Sequence, residues 1–166
     1  MGCKMISEKL QKAINEQIIA ELESWYLYLS MAAYFESNNL KGFAHWMRLQ
    51  AEEEKGHAYK LYDHMIDRGG RVVLTAISAP QVDFKSVEDV FKRTLDHERM
   101  VTARINKLNE LALGEKDFAA SAHLQWFVSE QVEEEATAEH ILNQIRMVES
   151  KPGSLFYIDR HVGKRE

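Results

Sequence analysis

The stretch FAHWMRLQAEEEKGHAYKLYDHM, Phe43 to Met65, decides how the rest of the chain is read. Wound as an α-helix at about 100° per residue, it sets Phe43, Met47, Ala51, Ala58, Leu61 and Met65 on one apolar stripe. Glu54 falls in the middle of that stripe, and His57, three residues on, adjoins it on the same face. A carboxylate turned into a hydrophobic core costs on the order of several kcal/mol unless something offsets its lost hydration. The stretch therefore predicts a helix and, inside the core, a partner for Glu54.

Working outward, three further helices carry the same anomaly. Upstream, Ser7 is a plausible N-cap for a helix to about Glu36, with inward residues Leu10, Ile14, Ile18, Trp25, Tyr28, Ala32 and Phe35 and with Glu21 at its centre. The Phe43 helix itself extends from about Leu40 to Arg68 and stops at Gly69-Gly70. Arg71 to Lys85 lacks a helical period and is longer than a tight turn needs, so it reads as a crossover along the length of a bundle. Ser86-Val87-Glu88-Asp89 opens a third helix to about Leu113, with Val87, Phe91, Leu95, Val101 and Ile105 inward and Glu98 central. A fourth begins near Glu115 or Lys116 and runs to about Val148. Its stripe holds His123, Phe127, Ala138, Ile141 and Ile145, with Glu134 central and Glu130 and Gln131 alongside. Pro152-Gly153 breaks the chain before a short fifth helix, about Ser154 to His161.

Four helices of roughly 30 residues each span about 45 Å. Joined by a short, a long and a short link, they predict an all-α fold: a four-helix bundle with one crossover, in a single domain over residues 1–166. Residues 1–5 read as a flexible extension, and Cys3 is given no role. In a bundle of near-equal helices the midpoints share one cross-section, so Glu21, Glu54, Glu98 and Glu134 converge there with His57. Four bare carboxylates cannot coexist at such a place without protons or cations. Hard oxygen ligands with a single imidazole argue for iron or manganese over thiolate-type zinc or copper sites, and two cations balance the charge better than one.

Composition narrows the alternatives. A net charge of −5 argues against a nucleic-acid surface, and no apolar run is long enough for a membrane span. One cysteine excludes an internal disulfide framework and fits a reducing cytoplasm. Two prolines and eight glycines suit long helices.

Several motifs carry a family resemblance: Asn15-Glu16-Gln17…Glu21…Tyr28, Ala51-Glu52-Glu53-Glu54-Lys55-Gly56-His57-Ala58, His97-Glu98, and Trp126-Phe127-Val128-Ser129-Glu130-Gln131-Val132-Glu133-Glu134-Glu135. On these the chain resembles the prokaryotic non-haem ferritins of the ferritin-like di-iron family, over about Ile6 to Arg165. The resemblance implies iron storage with ferroxidase activity on Fe(II) and dioxygen, in the cytoplasm, within a homo-oligomeric shell of twenty-four chains whose fifth helices lie near the fourfold axes. By position it makes Glu21, Glu54 and His57 ligands of a first iron, with Gln131 close by. Glu54 would bridge to a second iron held also by Glu98 and Glu134, while Glu53, Glu130 and Glu133 match a third site. Tyr28 matches the tyrosine beside the ferroxidase centre, and both it and Trp126 are candidate electron donors. Asp96 falls about 200° around its helix from Glu98, among Lys92, Arg93 and Arg99, so Glu98 is the residue chosen.

Departures from relatives sharpen the expectation. Thr137 stands where bacterioferritins and rubrerythrins resemble one another in having a second Glu-x-x-His, and Lys55 stands where haem-binding bacterioferritins carry methionine, so no haem is expected. Ser121 and Leu124 fall where animal ferritins line a threefold channel with acids. A peroxide-detoxifying mini-ferritin is the nearest rival, against which the fifth helix speaks. A metal-free helical scaffold is the rival from another class. The other histidines, His45, His64, His97, His123, His140 and His161, read as surface or core residues.

Overall fold

The computed structural model describes residues 6–148 and 151–166. The expected extension at residues 1–5, with Cys3, lies outside them. Five helices follow in order: α1 Glu8–Ser37, α2 Lys41–Asp67, α3 Val87–Gly114, α4 Phe118–Val148 and α5 Pro152–Val162. No strand occurs among the described residues.

Local chemistry sets most of the boundaries. Ser7 Oγ accepts from Leu10 N at 3.1 Å and Ser86 Oγ from Asp89 N at 3.0 Å, so α1 and α3 start on side-chain caps. Asn39 (φ 59°) and Gly69 (φ 70°) turn the chain after α1 and α2 through the left-handed region. The fourth helix starts later than its sequence suggests. Lys116 is itself left-handed at φ 56°, and Asp117 accepts from Ala120 N at 3.0 Å, so Asp117 caps the helix. The fifth helix is longer than expected, because proline at a first helical position lacks only an N–H that would have no partner anyway.

α1 pairs with α2, and α3 with α4, as two hairpins. Residues 68–86 climb alongside α1 between them. Asn15 holds Arg71 O and Val73 N, Glu23 holds Ser78 N, Ser30 holds Gln81 O, and Phe84 stacks edge-on against Tyr34. The crossover thus returns the chain to the end of the bundle where α3 must begin.

The apolar stripes meet as expected, although Trp25, Val87 and His123 are only partly buried. The core is divided in two. One half is aromatic, built on Phe35, Phe43, Trp46 and Phe91. The other is aliphatic, built on Leu10, Ile14, Ile18, Leu61, Met65 and Ile105, with Phe127 at its edge. Between them every helix of the bundle contributes buried polar residues.

Candidate metal centre

Glu21, Glu54 and Glu98 are each 1% exposed, Glu134 is 7% and His57 4%. Each glutamate sits between inward apolar neighbours of its own helix: Ile18 and Tyr28, Ala51 and Ala58, Leu95 and Val101, Phe127 and Ala138. The helical period that buries those neighbours carries the carboxylate inward with them. Asp96, the alternative to Glu98, is exposed.

Two oxygens stand out. Glu21 Oε2 and Glu54 Oε2 are buried with no hydrogen-bond partner. Both face His57 Nδ1, at 3.9 and 3.5 Å. Three potential ligand atoms therefore converge in a dry place, where an unpaired acceptor costs roughly 1–3 kcal/mol. Burial pushes Glu21 and Glu54 well above the usual carboxylate range, and the charge of Glu54 on Glu21 and of Glu98 on Glu54 adds to it, so the pair keeps a proton when no cation is present. Donors of this kind fit a hard or borderline cation.

The opposite side is already furnished with protein donors. Tyr28 OH donates to Glu98 Oε1, and Gln131 Nε2 donates to Glu98 Oε2 at 3.1 Å. Gln50 Nε2 donates to Glu134 Oε2 at 2.6 Å. Burial, followed by the charge of Glu98, raises Glu134 to about 7, and burial raises Glu98 as well. Desolvation and the nearby carboxylates hold the Tyr28 phenol well above its ordinary value. His57, Glu130 and Glu134 form a second cluster, and in it, as in Glu21, Glu54 and His57, the ligand atoms lie within 4.8 Å of one another. Glu98 and Glu133 are in neither cluster. Glu133 is exposed, and exposed Glu53 pairs with Arg165.

Gln17 and Gln50 are site residues that the sequence reading passed over. Gln17 Nε2 donates to Glu21 Oε1 at 2.8 Å, so three glutamines, Gln17, Gln50 and Gln131, each orient one buried carboxylate. A signal was present: Gln17, Gln50 and Gln131 stand four, four and three residues before Glu21, Glu54 and Glu134, one turn away on the same face. Ser24 was also missed. It is fully buried and lies 2.7 Å from His97 Nε2, whose ring meets Tyr28 edge-on. Trp126 packs against His57 with ring centroids 5.3 Å apart.

Farther down α2, His64 and His123 stack at 4.2 Å with planes 12° apart. Both therefore belong to the helix interface, and burial holds both below the ordinary imidazole value, His64 at about 4.

A four-helix bundle with a single crossover and a waist of buried carboxylates around one imidazole defines the class of carboxylate-lined helical proteins. Residues 11–148 match the family model for the ferritin-like domain. Across 97% of the chain there is 46% identity to the bacterial non-heme ferritin of Bacteroides fragilis (strain 638R), all of which is covered. The corresponding protein of Staphylococcus aureus (strain MRSA252) is 37% identical, with 97% of each covered. Among solved structures, the open pore ferritin of the archaeon Archaeoglobus fulgidus superposes with a TM-score of 0.96 at 47% identity, over 97% of this chain and 98% of that one. The chain belongs to the ferritin family.

Proposed function

We propose that this chain stores iron and oxidises Fe(II) at the waist of its bundle. The observation that carries the reading is the convergence of Glu21 Oε2, Glu54 Oε2 and His57 Nδ1, with both oxygens buried and unpartnered. Fe(II) as substrate supplies the positive charge those atoms lack. A first Fe(II) takes Glu21, Glu54 and His57, releasing the proton that the glutamate pair keeps. A second takes Glu54, Glu98 and Glu134, while Gln131 keeps its hold on Glu98. Each Fe(II) gives one electron to dioxygen. The two electrons and two protons turn dioxygen into hydrogen peroxide, while the phenol of Tyr28, hydrogen-bonded to Glu98, orients that carboxylate. A third cation occupies the side of Glu53, Glu130 and Glu133.

The oxidised iron passes to a mineral core inside a shell of twenty-four chains in the cytoplasm. Support for the assembly comes from similarity to proteins named as ferritins, including one whose structure is described as open-pored.

Anaerobic calorimetric titration with Fe(II) tests the reading, with two or three equivalents per chain expected. Glu54→Ala removes the bridging carboxylate. It abolishes rapid oxidation yet leaves the bundle folded or stabilised, because a buried charge without compensation is gone. Unchanged oxidation kinetics in that variant would refute the assignment, and light scattering on the native particle separates a shell from a lone bundle.

A further inference from the structure

The segment beyond α5 returns to the waist along one face of α2. His45 Nε2 bonds Arg165 O at 3.0 Å, and the Arg165 guanidinium lies over the Trp46 ring, 5.1 Å from its centroid. Arg165 Nη1 donates to Gln50 Oε1 at 2.9 Å, and Nη2 donates to Glu53 Oε2. His45, Trp46, Gln50 and Glu53 thus form a track over successive turns of α2 that holds both the backbone and the side chain of one residue. The track ends at the centre, because the same Gln50 donates to Glu134 and the charge of Glu53 helps to raise Glu134.

We propose that Arg165 is a tethered cation that competes with dissolved metal for Glu53, so that a divalent ion reaching the third position, on the side of Glu53, Glu130 and Glu133, must first displace the segment after α5. The inference rests on the waist being the iron centre, and it adds a control over the outermost position. A guanidinium and a divalent ion on Glu53 repel each other, so the carboxylate held by Arg165 must let it go to serve the ion. The Arg165 side chain is 26% exposed and that of Glu53 43%, so release into water is cheap and the competition is modest. Exposed ion pairs of this kind change an affinity by about five-fold at most. The inner ligands Glu21, Glu54 and His57 do not touch Arg165, and their cation is indifferent to it.

The test is an anaerobic calorimetric titration of the full chain with Co(II), a redox-silent probe, at neutral pH. Arg165→Gln should tighten the weakest equivalent by about five-fold and leave the tightest unchanged. Glu53→Gln should weaken or remove that same equivalent, and adding Arg165→Gln to Glu53→Gln should then change nothing. Circular dichroism confirms that each variant is helical. Ordinary Co(II) binding with no effect of Arg165→Gln overturns the tether alone, as does an equal effect in the Glu53→Gln background. Co(II) binding that Glu54→Ala leaves intact overturns the centre on which the tether depends.

Discussion

Asp159 Oδ1 accepts a hydrogen bond from Phe43 N at 2.8 Å, so the fifth helix caps the second. The position before α2 is Leu40, which has no side-chain oxygen to offer the free N–H groups of the first turn. Asp159, only 7% exposed, supplies one from 116 residues away, and its charge faces the positive end of the helix dipole. Close approach depends on Gly42, where a β-carbon would stand 1.7 Å from Asp159 O.

Asp159→Ala should therefore cost about 1 kcal/mol, the usual value of a lost N-cap. Gly42→Ala should cost more, since the two backbones must part before the cap can form. Chemical denaturation of the two variants checks both. Equal stability of Asp159→Ala and the parent would mean that α5 merely rests on α2.

Without cations, stability should fall as pH rises from about 4.5 to 7. Glu134 titrates near 7 in the fold against 4.5 in the unfolded chain, so within that window the fold holds a proton the unfolded chain has released. Glu21, Glu54 and Glu98 shift in the same direction. Saturating divalent cation should reverse the slope, because metal binds the deprotonated carboxylates. Thermal denaturation with chelator at pH 5 and pH 8, then with Co(II), reads the sign directly.

His64 pulls the other way. Burial, the neighbouring His123 and Arg68 hold its imidazole at about 4, against 6.5 unfolded, with Asp117 and Asp67 opposing. The unfolded chain takes up a proton first, so this contribution is intact above 6.5 and is lost as pH falls towards 4. His64→Phe keeps the stack with a ring that does not titrate. Relative to the parent, its stability should rise as pH falls from 7 to 5, and a difference that does not change with pH would show that the pair is not the acid-sensitive element.

Asp117 serves two helices. It pairs with Arg68 through two hydrogen bonds of 2.9 Å while accepting from Ala120 N at the start of α4. Asp117→Ala removes both roles and should cost about 2 kcal/mol. Asp117→Asn keeps an acceptor for the cap and should recover about half of that. If the two variants were equally unstable, the ion pair would carry the whole effect.

Periodicity made the four helices, the crossover and the inward placing of Glu21, Glu54, Glu98 and Glu134 legible in the sequence. The later start of α4 was not, because Lys116 takes a left-handed conformation usually reserved for glycine or asparagine. Gln17 and Gln50 were hidden for a different reason. A glutamine one turn from a buried acid is a common neighbour, and only the packing of the helices makes it a donor.

By itself, then, the sequence determined what each helix turns inward and at what height, since both follow from a repeat of 3.6 residues and from position along the chain. Tertiary structure alone decided which oxygens stay without partners, that Tyr28 and Gln131 occupy Glu98, and that Asp159 and Arg165 from the chain's end complete α2. Those facts depend on distances between side chains remote in sequence, and distances of that kind exist only after the helices have packed.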